Sequence, residues 1–221
     1  MSEGNPRIFD WKSILAGLAQ LHRENPQVLE RNVLVGGAAC LFYRDQLEQI
    51  NDPDFRVRVY GVEEERSWLS RDADFATTEP AEIPDIAGSL PLGRLQFGFV
   101  LGAEEFKENA RNVEVRCDSV LFTILIADPL DLWREKEAAT FRRSRPQDAL
   151  HLEVLGTTLR WEMARYAEKV ATGELPFGQW ISRAEEVKRR WNAILDNQKL
   201  KDRLMVTGVP EIADFISGSK A

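Results

Sequence analysis

The sequence predicts an α/β chain, a small mixed sheet carrying helices, followed by a helical C-terminal region. Three observations predict it. A short apolar run, Val33 to Val35, is closed by Gly36-Gly37 and followed by helical spacing from Ala38 to Ile50, the pattern of a strand that turns straight into a helix. Four later stretches, Asp72 to Thr77, Leu95 to Leu101, Asn112 to Asp118 and Val120 to Leu125, read as short strands, the first three with the alternation of half-buried ones. From Asp128 onward the spacing turns helical. We therefore expect an α/β core in residues 1–127 and a helical region packed on it in 128–221.

Taken in order, Pro6 to Asn25 carries Ile8, Trp11, Leu15 and Leu18 as one apolar stripe, with Lys12 and Arg23 turned to water, and reads as a packing helix. Pro26 is expected to stop it. After the Ala38–Ile50 helix, Asn51-Asp52-Pro53-Asp54 is a turn, and Phe55 to Tyr60 alternates as a half-buried strand does. Glu63-Glu64-Glu65 reads as a loop, Glu79 to Pro91 as a turn-rich stretch, and Glu104 to Ala110 as a polar connection. Asp128-Pro129 opens a helix, a capping acid ahead of proline in the first turn. A second helix starts near Pro146 and is expected to end at Gly156, with Thr157 or Thr158 capping a third that runs to Thr172. Phe177 to Gln198 gives a last helix, whose Trp180 and Trp191 read as core.

Composition excludes several classes. With a formal charge of −7 over 221 residues, a broad nucleic-acid surface is not expected, because such affinity comes largely from neutralising phosphates. The longest apolar run, Val120 to Ala127, is too short to cross a bilayer, and Met1-Ser2-Glu3-Gly4 is not a signal peptide; a cytoplasmic protein is the expectation. Two cysteines, Cys40 and Cys117, make no disulfide framework. Two histidines without ligand spacing make no zinc site.

The residues that carry chemistry are Gly36-Gly37 and Asp72-Ala73-Asp74. Glycines at the start of a helix let backbone N–H groups approach an anion closely. Alternation on a strand puts both aspartates on one face, where two carboxylates suit a hard divalent cation. Either feature alone is common as a packing turn or a solvated strand face. In this order they suit magnesium-dependent phosphoryl or nucleotidyl transfer.

The order apolar strand, Gly-Gly, helix, Asp-x-Asp strand resembles the nucleotidyltransferase superfamily. A later segment, Asp128-Pro129-Leu130-Asp131-Leu132, Lys136, Ala139, Arg142, Arg145-Pro146-Gln147-Asp148 and His151-Leu152, is similar to the fourth motif of AbiEii-type toxin nucleotidyltransferases. The resemblance implies a nucleotidyltransferase-type sheet and a Mg²⁺-dependent transfer of a nucleotide from an NTP to a hydroxyl acceptor. It implies Asp72, Asp74 and a third carboxylate on a neighbouring strand as metal ligands and catalytic groups. Glu114 fills that third role best and Asp118 second. It further implies nucleotide contacts from Gly36, Gly37, Ala38, Lys136 and Asp148, a tRNA or other RNA end as acceptor, and an antitoxin protein as partner. Arg142, Arg143 and Arg145, close in sequence where one helix ends and the next begins, read either as a basic strip for that RNA backbone or as cations that satisfy a helix C-terminus. Three positions depart from the pattern: Ala38 stands where Ser or Thr is usual, the third acid is Glu, and His151 replaces a second Asp. The alternative function is a nucleotidyltransferase fold used as a binding or interaction module without catalysis.

Overall fold

The computed structural model describes residues 9–55, 57, 70, 72–77, 95–101, 104–142 and 146–174. The chain forms two compact units, Met1–Gln46 with Val59–Leu132, and Leu47–Arg58 with Trp133–Ala221. The fold is mixed α/β, built on a five-stranded mixed sheet.

In the first unit, helix α1 (Trp11–Glu24) starts where the Asp10 carboxylate accepts the Ser13 N–H at 2.8 Å, satisfying one of the amides that a helix start leaves unpaired. It buries Trp11, Ile14, Leu18 and Leu21. Pro26 does end this stripe, but it also opens a second short helix, α2 (Pro26–Arg31), from its first position, where a missing N–H costs nothing. Strand β1 (Val33–Val35) is buried along its whole length and runs without a loop into α3 (Gly36–Ile50). The helix packs through Ala38, Ala39, Cys40 and Phe42, all within the core, and the Phe42 ring meets Trp11 edge-on at 5.4 Å.

β1 is the central strand. The order across the sheet is β3-β2-β1-β5-β4, with β2 Asp72–Thr77, β3 Gln96–Leu101, β4 Arg111–Cys117 and β5 Val120–Ile126. β1 pairs antiparallel with β2 and parallel with β5. β2 and β3 run parallel, and β4 and β5 form an antiparallel hairpin turned by Asp118 in a left-handed conformation. The polar stretch expected to be a bare connection contains a short helix, α4 (Glu104–Asn109). Where β5 ends, Asp128 caps α5 (Pro129–Arg142) by accepting the Leu130 N–H at 3.0 Å, and its other oxygen takes Arg111 at 2.8 Å. Tyr43 of α3 donates to the Ala127 carbonyl at 2.9 Å beside this cap.

The second unit holds a 3-10 turn at Pro53–Phe55 and α6 (Pro146–Ala171). Phe55 therefore lies in a tight turn rather than in a strand; the rest of that expected strand, apart from Val57, lies outside the described residues, as do Glu63 to Glu65, Glu79 to Pro91 and the Phe177–Gln198 helix. Gly156 does not end a helix: α6 runs through it for 26 residues. It is buried between Leu155 and Thr157, so packing offsets the roughly 1 kcal/mol that glycine costs inside a helix. The left-handed glycine that follows the helix end is Gly173 (φ +75). No helix of the described residues is long and apolar enough to cross a membrane.

Candidate functional site

Strand β2 sorts its residues by face. Ala73 and Phe75 are 0 % and 1 % exposed, and the Phe75 ring lies 6.1 Å from that of Phe97 on β3. Asp72 and Asp74 alternate with them and are half-buried on the opposite face, as the period of a strand requires. Asp74 pairs in register with Val35 on one side and Gly98 on the other. Its carboxylate occupies space that only glycines leave open. A methyl group at Gly98 would stand 2.2 Å from Asp74 Oδ1, and one at Gly36 would stand 3.1 Å from Oδ2. Gly36 is left-handed (φ +66) at the junction of β1 and α3, a backbone shape that a side chain would strain. The start of a 15-residue helix and the Asp74 carboxylate thus adjoin each other.

Gly36 and Asp74 are brought together, with Gly37 next along the helix and Asp72 on the same strand face as Asp74. Ala38 is fully buried, so it can offer a ligand its backbone N–H and nothing of its side chain. The donors are hard oxygens on one sheet face beside a helix N-terminus, and they fit one Mg²⁺. A third acid does not join them: among the described residues no three His, Cys, Asp or Glu side chains cluster so as to hold a metal.

Glu114 requires a correction. It sits on β4, at the edge of the sheet, with β5 and β1 between it and β2. Three strand spacings put it about 14 Å away. Its side chain is exposed, opposite Thr123 on the outer face of the hairpin, and Asp118 lies in the hairpin turn. The alternation of residues 112–118 marks a strand but not its neighbours, and the tight turn at 118–119 commits β4 to β5. The strands that do flank β2 are β1 and β3, and on β3 the residue opposite Asp72 is Gln96. Sequence reasoning passed over Gln96 and Gly98. Their signal was a polar residue and a glycine two apart, on one face of an otherwise apolar strand.

In the second unit Lys136 of α5 and Asp148 and His151 of α6 come together, 5 %, 1 % and 5 % exposed. The Asp148 carboxylate stands 3.8 Å from the Lys136 ammonium and 4.0 Å from His151 Nδ1. Burial, and secondarily the Lys136 charge, lower the His151 pKa to about 3, so the ring is neutral near pH 7. In the unfolded chain a histidine titrates near its ordinary value of about 6.5. Between those values the unfolded state binds the additional proton, and stability falls as the pH drops, by up to about 1.4 kcal/mol per unit. Denaturant midpoints measured from pH 7 to pH 4 are expected to decline steeply in the native chain and less in His151→Leu. Equal slopes would remove His151 as the cause. Arg142 ends α5, while Arg143 and Arg145 lie outside the described residues.

No protein-family model matches the chain, and no curated protein matches it. Among solved structures, it is similar to an antigenic nucleotidyltransferase-like protein from Paracoccidioides brasiliensis. That likeness has a TM-score of 0.41 at 12 % identity and covers 70 % of this chain and 78 % of that one. So loose a likeness assigns no family, and the functional reading rests on the residues themselves.

Proposed function

We propose that the first unit binds a nucleoside triphosphate with Mg²⁺ and that the chain is a nucleotidyltransferase, moving a nucleoside monophosphate to a hydroxyl acceptor. The observation that carries this is the Asp74 carboxylate seated between Gly36 and Gly98 with Asp72 on the same face. Asp72 and Asp74 would hold the cation, and the N–H groups of Gly36, Gly37 and Ala38 would face the phosphates at the helix N-terminus. When bound, Mg²⁺ supplies a counter-charge to the phosphate oxygens during transfer. The AbiEii-like segment from Lys136 to Asp148 supports an RNA end, such as that of a tRNA, as acceptor and a toxin-like role answered by an antitoxin protein.

The test is a thermal shift. A ligand that binds only the folded chain stabilises it by mass action, so an NTP with Mg²⁺ is expected to raise the unfolding midpoint. Asp72→Asn with Asp74→Asn should abolish the magnesium-dependent part of that rise while the unliganded midpoint stays close to native. An undiminished rise in the double variant would place the nucleotide elsewhere. Incubation with labelled NTPs and total RNA then identifies the acceptor. The amide of Gln96 opposite Asp72 favours a second reading, a module that binds the nucleotide without transferring it; binding with no label on RNA, protein or small molecule would decide for it.

A further inference from the structure

We infer that Gln96 is the third member of the Asp72/Asp74 group and that its neutral amide restricts the site to a single divalent cation. The inference rests on the nucleotide-site reading above. β2 and β3 are parallel and in register, so residues opposite each other point to the same side. Ala73 and Phe75 share their buried face with Phe97, while Asp72 and Asp74 share theirs with Gln96 and Gly98. Gly98 has no side chain, and Asp74 fills the space beside it. Gln96 is exposed, and its side chain stands next to Asp72 with the length to reach a cation or phosphate there.

Its chemistry differs from that of a carboxylate in two ways. The amide oxygen is a hard donor that carries no charge, and the amide nitrogen donates where a carboxylate only accepts. Two carboxylates neutralise one divalent cation. A second cation within a few ångströms would meet the repulsion of the first, and beside the anionic phosphates β3 would offer it a neutral amide in place of a third carboxylate. Gln96 also cannot take a proton from an acceptor hydroxyl, so the deprotonating step has no carboxylate from β3.

The test counts bound Mn²⁺ on the whole chain with an α,β-methylene NTP, which cannot be cleaved at the α-phosphate, using electron paramagnetic resonance and calorimetry. The native complex is expected to hold one Mn²⁺ and show no Mn–Mn coupling. Gln96→Glu should hold two, with a coupled signal. Gln96→Ala should hold one about tenfold more weakly. Two coupled ions in the native complex, one ion in Gln96→Glu, or unchanged affinity in Gln96→Ala would each overturn the inference while leaving the nucleotide site in place. If the native chain binds neither nucleotide nor Mn²⁺, the site reading fails and this inference with it. Circular dichroism confirms the folding of each variant.

Discussion

Replacing Lys136 by methionine is expected to destabilise the protein by about 3–5 kcal/mol, the cost of leaving a buried charge without its partner. Lys136 and Asp148 are 5 % and 1 % exposed, with the ammonium 3.8 Å from Oδ1. Asp148 Oδ2 accepts no hydrogen bond from any described residue. What stabilises this carboxylate is therefore the lysine and the first turn of α6, whose dipole favours an anion. Removing the lysine leaves the weaker of the two. The discriminating measurement is a double-variant cycle in denaturant: Lys136→Met with Asp148→Leu, which removes both charges, should recover much of the loss. A single variant as stable as the native chain would show that the pair contributes nothing.

A methyl group on Gly98 is expected to empty the site without unfolding the sheet. It would stand 2.2 Å from Asp74 Oδ1, and the atom it meets is the tip of a short side chain, which can rotate away more cheaply than the strand can move. Gly98→Ala should therefore keep its unliganded unfolding midpoint and lose Mg²⁺-dependent nucleotide affinity by about tenfold to a hundredfold, the scale on which misplaced ligands are felt. Calorimetric titration checks this. Native affinity in Gly98→Ala would mean that the carboxylate's position is irrelevant to binding.

How much of this was legible before folding depends on whether the signal was local. The turn at Gly36 and the shared face of Asp72 and Asp74 follow from period and backbone alone, and they appear as expected. The strands of the sheet were legible for the same reason, though the same alternation also marked Phe55, which lies in a turn. Strand order was not, since no short-range pattern says that β3 rather than β4 flanks β2, and this is why Glu114 took a role that the sheet gives to Gln96. Gly156 failed for a related reason. Its cost in a helix is a local property, while its burial is a property of the folded chain that the local sequence does not show. The pairing of Lys136 with Asp148 joins two helices, and only the resemblance, not the spacing, pointed to both.

Glu114 then needs another account, and the outermost position of β4 supplies one. An edge strand offers its free backbone groups to any extended segment that comes by, including the same strand of a second molecule, and chains that leave such an edge apolar tend to stack into aggregates. On β4 the exposed positions are Asn112, Glu114 and Arg116, an amide and two opposite charges in sequence. A copy adding antiparallel and centred on Glu114 would set two glutamates side by side, and one adding parallel in register would align like with like along the strand. In those two arrangements Glu114 meets a like charge, whereas a copy centred on Val115 would set it against Arg116; the row therefore disfavours particular registers of edge pairing, and charge on an exposed edge is one of the ways such strands are blunted.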